Sequence, residues 1–86
     1  MNITNILIED NIKEKIFNKH NVEATEIKQV IFTNPLILKV RKNRYMAIWY
    51  YQRHLTIIFE IYNNIAFIIT AYPSSEAQVK LYKKKK

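Results

Sequence analysis

Apolar residues recur along this chain with two different periods, and the change from one to the other falls at Pro35. Before it, Ile12, Ile16 and Phe17 are spaced to line one side of a helix, with Asp10 or Asn11 as the expected N-cap and Asn21 as a left-handed terminator. A second helix is expected from a Thr25 cap, with Ile27, Val30 and Ile31 on one face. It must stop at Asn34-Pro35, because a residue before proline avoids the α region. The two make a helical hairpin.

After Pro35 the period becomes two. Leu36, Leu38 and Val40 alternate with Ile37, Lys39 and Arg41, and Lys42-Asn43 then signals a turn. Residues 44–50 and 55–62, rich in aromatic and β-branched types, read as two further strands joined by a compact connection over 51–54. Asn63-Asn64 suits a two-residue type I′ hairpin into a fourth strand, residues 65–72, which Pro73 stops. Counting outward from that turn pairs Tyr62 with Ile65 and Leu55 with Tyr72, which brings Arg53 near Tyr72. Ser74 or Ser75 caps a final helix, Ser75 and Gln78 standing at capping-box spacing, with Leu81 and Tyr82 turned toward the body. The predicted fold is therefore α+β: two N-terminal helices, a four-stranded antiparallel meander and a short C-terminal helix.

Composition adds constraints. Apolar residues are 49% of the chain and charged residues 24%, a globular balance, and a length of 86 residues predicts one domain with a basic tail at 83–86. The chain has no glycine, so turns that need a positive φ must fall to asparagine, the next most tolerant residue. The lack of cysteine excludes disulfides, thiolate metal sites and thiol nucleophiles. His20 and His54 are too far apart in sequence to suggest a zinc site, so no metal or other cofactor is expected. There is no phosphate-binding glycine loop or serine triad. Residues 1–10 lack the basic and apolar regions of a signal peptide, and the apolar stretch 55–72 is broken by Glu60 and Asn63-Asn64. A cytoplasmic protein without a membrane segment is expected.

The net charge of +7 is unevenly placed: residues 1–38 carry four lysines against five carboxylates, whereas residues 39–86 carry ten bases against two. That asymmetry predicts a polyanion, RNA above all, at the sheet and last helix. Four of the charges are Lys83 to Lys86, which would also serve as a solvated tail.

A pattern of short motifs carries a family resemblance from about residue 11 to residue 82. It comprises a lysine-rich first helix ending in KHNV, then EATEIKQVIF, an NP break, RY opening a strand, RHLTIIFEI, IITAYPSS and a closing LY. Their order and spacing resemble the BrnT family, toxins of bacterial type II toxin-antitoxin pairs whose fold is similar to that of RelE ribonucleases. The resemblance implies an mRNA-cleaving toxin that inhibits translation, with RNA, on or off the ribosome, as substrate. It also implies a cognate DNA-binding antitoxin as partner, and it allows an oligomer. Its chemistry would be metal-independent, the RNA 2′-OH attacking the adjacent phosphate. Arg53 matches the arginine that begins the family's third strand and Tyr82 the tyrosine of its last helix, whereas Tyr72 stands where many members have an arginine. That departure leaves open a non-catalytic RNA-binding or regulatory module of the same fold, or a protein-interaction subunit.

The side chains that would carry such chemistry follow. Arg53 has a planar fork that grips two phosphate oxygens, the alternative being an exposed turn arginine. His54 is the acid-base candidate, since imidazole is the side chain suited to proton transfer near neutrality, against a solvated histidine beside a turn. Tyr72 and Tyr82 would hydrogen-bond phosphate or stack on a base, or else close the edge of the core. Arg41, Arg44, Lys80 and Lys83 would steer the RNA backbone if they converge. Glu60 reads as an outward strand residue before a base, and His20 as a helix-terminal residue suited to the dipole. Trp49, Tyr50 and Tyr51 form an aromatic run that fits packing, base stacking or docking of a partner helix.

Overall fold

The structure is a computed structural model that describes residues 2–85 and, for Tyr51, the backbone alone. In chain order the elements are β1 (Asn5–Leu7), α1 (Asp10–His20), α2 (Ala24–Phe32), β2 (Leu36–Arg41), β3 (Arg44–Tyr51), β4 (Arg53–Tyr62), β5 (Ile65–Pro73) and α3 (Glu76–Lys85). The sheet has five strands in the order β1-β5-β4-β3-β2.

It is therefore mixed, which corrects the expected four-stranded antiparallel meander. β2 to β5 do form an antiparallel meander, but β1 adds in parallel to the outside of β5, Ile6 facing Ala66 in register. Only Ile6 of β1 is buried, and three residues offer no alternation to read. The Thr4 amide, donating to the Asn64 carbonyl at 2.8 Å, anchors the strand beside the β4–β5 turn.

α1 packs over β5 and α2 over β3, so the helical hairpin crosses one face of the sheet from the β1 side toward β2. Ile16, Val22, Ile27, Val30 and Ile31 meet Ala47, Leu55, Ile57, Phe59, Ala66, Ile68 and Ala71 there in one core. Fully burying a side chain such as Phe59 or Ile57 contributes about 1.5–3 kcal/mol. In β4, Leu55, Thr56 and Ile57 are all completely buried. Successive strand residues face opposite ways, so both faces of the sheet are covered at that point. The helical hairpin covers Leu55 and Ile57, and α3 lies over Thr56 on the other side.

Among the described residues five of the six with positive φ are asparagines, Asn21, Asn34, Asn43, Asn63 and Asn64, and they mark the joints in a chain without glycine. The sixth, Gln52 at φ 62°, makes the β3–β4 connection tighter than expected, with Tyr51 already opposite Arg53. Helix caps differ in detail. Glu9 and Glu23 are the N-caps of α1 and α2, and Glu23 with Glu26 forms a reciprocal capping box, leaving Thr25 inside the first turn. The Ser75–Gln78 capping box of α3 forms as expected. α3 runs through Lys85, so Lys83 to Lys85 are its last turn, where cations complement the helix dipole, and Lys86 lies outside the described residues.

The register of β4 and β5 carries the consequential difference. Tyr62 pairs with Ile65 as counted, but between Ile58/Thr70 and Phe59/Ile68 the ladder shifts, leaving Ile69 as an extra residue in a bulge. Beyond it Leu55 faces Pro73 and Thr56 faces Tyr72, not Leu55 and Tyr72. A one-residue shift reverses the face a side chain occupies, so Tyr72 joins the α3 side with Thr56.

Candidate functional site

The tip of the β3–β4 hairpin sends adjacent residues to opposite sides of the sheet. Arg53 leaves on the side of the helical hairpin, where its Nη2 donates to the Asn21 carbonyl at 2.5 Å and to Glu26 Oε1 and Oε2 at 3.2 and 3.4 Å. Glu26 Oε1 also accepts from the Glu23 amide at 3.0 Å as part of the capping box. Arg53 thus ties the start of β4 to the α1–α2 joint. A cleft of about 720 Å³ opens beside it, lined by Phe17, Asn21, Glu23, Thr25, Glu26, Gln52 and Arg53.

His54 leaves on the α3 side. Its ring stands edge-on to Tyr50 at 4.9 Å and to Tyr82 at 5.4 Å between centroids, and Tyr82 is also edge-on to Trp49 at 5.9 Å. These are the separations at which aromatic pairs attract, so the histidine is oriented by packing. The Tyr51 side chain lies outside the described residues.

One helical turn back along α3, Gln78 gathers the polar groups of the same face. Its Oε1 accepts from the Ser75 amide at 2.9 Å and from Thr56 Oγ1 at 3.1 Å, and its Nε2 donates to the Tyr72 hydroxyl at 2.9 Å. Thr56 Oγ1 lies 2.7 Å from Ser74 Oγ. Completely buried, Thr56 would be costly without these partners. The His20 ring stands 5.9 Å from that of Tyr72, so the end of α1 reaches the Tyr72 ring at the edge of the group.

The structure therefore brings His54, Tyr72 and Tyr82 to one end of the α3 face and places the Arg53 guanidinium on the opposite face. The four basic residues expected along the backbone path divide as well. Arg44 pairs with Glu60, its Nη2 and Nε donating to one carboxylate oxygen at 2.7 and 3.0 Å, and Tyr62 donates to the other oxygen at 3.3 Å. Arg41 faces Arg44 across the β2–β3 hairpin. Glu60 stands six positions along β4 from His54, roughly 20 Å at strand rise, so Arg41 and Arg44 sit at the far end of the sheet. Lys80 and Lys83 belong to the His54 end. Lys80 lies 3.5 Å from Glu76 in a highly exposed pair, and Lys83 has no ion pair among the described residues.

Gln78, Thr56 and Ser74 were absent from the sequence-based set. Gln78 was legible only as a helix cap, and Thr56 sits in an apolar run whose facing depends on the bulge. Among the described residues no group of three His, Asp or Glu side chains is arranged to hold a metal ion, and no helix is long and apolar enough to cross a membrane.

Among the described residues the architecture is three helices on a five-stranded mixed sheet, a fold shared with a ribonuclease toxin of known structure. The crystal structure of the Brucella abortus ribonuclease toxin BrnT matches with a TM-score of 0.72, covering 84% of this chain and 97% of that one at 16% sequence identity. At that identity what the two proteins share is the fold. No family model and no curated protein matches the sequence.

Proposed function

We propose that this protein is an endoribonuclease toxin of a type II toxin-antitoxin pair, which cuts mRNA without a metal ion and so inhibits translation. The observation that carries the reading is the meeting of His54 with Tyr82, beside the hydrogen-bonded Tyr72, under a helix that ends in three lysines. The fold shared with a ribonuclease toxin supports it. A cognate DNA-binding antitoxin is the expected protein partner.

In this reading the imidazole of His54 takes the proton of a ribose 2′-OH, whose oxygen bonds to the adjacent phosphorus. The bond from phosphorus to O5′ breaks, and the Tyr82 hydroxyl supplies the proton that O5′ needs, regaining one from water. The products are a 2′,3′-cyclic phosphate and a 5′-hydroxyl end. Tyr72 donates to a non-bridging oxygen as charge builds there, and Lys80 and Lys83 draw the backbone to the site. Arg53 acts as a strut: by fixing the start of β4 it fixes the neighbouring His54. Arg41 and Arg44, at the far end of the sheet, lie outside the site itself.

Tyr72 in place of an arginine, together with an Arg53 guanidinium engaged by Glu26, favours a second reading, a non-catalytic RNA-binding module of the same fold. Expression in a bacterial host separates the two. Arrested growth with new RNA ends bearing cyclic phosphate supports the toxin, whereas unaffected growth with intact but bound RNA supports the module.

A further inference from the structure

Resting on the reading that the α3 face meets RNA, we infer that Gln78 is a positioning residue that turns the Tyr72 hydroxyl into an outward-facing proton donor. The direction of every hydrogen bond in the group is fixed by one fact. A backbone N–H can only donate, so the end of the Gln78 carboxamide 2.9 Å from the Ser75 amide must be its oxygen. The other end, 2.9 Å from the Tyr72 hydroxyl, must be nitrogen, and it donates. The phenol oxygen is therefore an acceptor toward Gln78, and its own proton has to point elsewhere.

The remaining bonds agree. Thr56 gives its hydroxyl proton to Gln78 Oε1 at 3.1 Å, so at the 2.7 Å contact Ser74 is the donor to Thr56. A chain of donors thus runs from Ser74 through Thr56 to Gln78, and from Gln78 to Tyr72. Among the described residues the Tyr72 hydroxyl has no acceptor; its other neighbour, the His20 ring, makes a tilted ring contact. Tyr72 is only partly buried, so the proton is presented to whatever lies on this face. A phosphate oxygen is an acceptor without donors, and it is the ligand this arrangement fits.

Gln78→Glu tests the orientation with little change of shape. A carboxylate still accepts from the Ser75 amide and from Thr56, so the capping box survives. It has no N–H for the phenol, and it draws the Tyr72 proton back into the protein. Q78E should melt within a few degrees of wild type and lose about tenfold in kcat/KM for RNA, as should Y72F. The double variant answers the objection that added negative charge simply repels RNA. If Gln78 works through Tyr72, Q78E costs little in the Y72F background. Full additivity of the two losses, or an active Q78E, overturns the inference. The side-chain amide resonances of ¹⁵N-labelled Gln78 give a readout that needs no RNA: Y72F should move them, and unmoved resonances overturn the hydrogen bond itself. Wild-type protein that neither binds nor cuts RNA would defeat the functional reading, while the amide resonances still decide the role of Gln78.

Discussion

Replacing Arg53 by alanine should weaken the fold before it weakens any chemistry, and the size of the effect can be worked out. The substitution removes three contacts made by one nitrogen, to the Asn21 carbonyl and to both oxygens of Glu26. The side chains of Arg53 and Glu26 are 35% and 15% exposed, so solvent screens the ion pair and its share is held to about 0.2–1 kcal/mol. The bond to the carbonyl adds roughly 1 kcal/mol, since Asn21 is exposed and water can replace the lost donor. A total of about 1–2 kcal/mol is expected, which in a domain of this size lowers Tm by roughly 5–15 °C.

Glu26→Gln should cost less, because the amide oxygen still accepts from Arg53 and from the Glu23 amide. A double-mutant cycle in urea denaturation should give a coupling of about 0.5–1 kcal/mol between positions 26 and 53. Growth rescue by R53A would not separate a strut from a catalytic cation, since an unstable toxin is also harmless. The separating assay is cleavage measured well below the Tm of the variant, where R53A should stay within a few-fold of wild type. An unchanged Tm with no coupling to Glu26, or a fully folded R53A that has lost cleavage a hundredfold, would rule out the strut.

Gln52 holds φ 62° without being glycine or asparagine, so Gln52→Gly should raise stability by about 0.5–1 kcal/mol in thermal or urea unfolding. RNA affinity should fall steeply between 50 and 200 mM salt, and Lys80→Ala and Lys83→Ala should each reduce the slope of log K against log salt by about 1 if they contact phosphates. Arg44→Ala should leave that slope nearly unchanged and destabilise the sheet through an unpaired Glu60, as read by equilibrium unfolding.

Much of the fold was legible because glycine is missing. Left-handed joints had to fall on Asn21, Asn34, Asn43, Asn63 and Asn64, and each of these lies where an element begins or ends. Gln52 escaped notice since glutamine carries no such signal. β1 escaped because a short parallel edge strand shows itself only through a partner some sixty positions on. The bulge at Ile69 mattered most. Residues 65–72 are apolar almost throughout, so nothing in their pattern marks where one face gives way to the other, and the turn count carried the wrong register past it. That single slip placed Tyr72 beside Arg53. With the bulge in place Tyr72 belongs with Thr56 and Gln78. His54 and Tyr82 were legible as residue types suited to RNA chemistry, but their contact depends on how α3 lies across the sheet. The Arg53–Glu26 pair, spanning 27 positions, has no local signature at all.

Metal-independent cleavage by His54 is tested most directly by the fate of a single-stranded RNA incubated with the purified protein in excess EDTA, with the ends of the products identified. Wild type should give 2′,3′-cyclic phosphate and 5′-hydroxyl ends, and a His54→Ala variant that unfolds cooperatively near the wild-type temperature should not. RNA left intact by wild type, or cut equally well by His54→Ala, would contradict it.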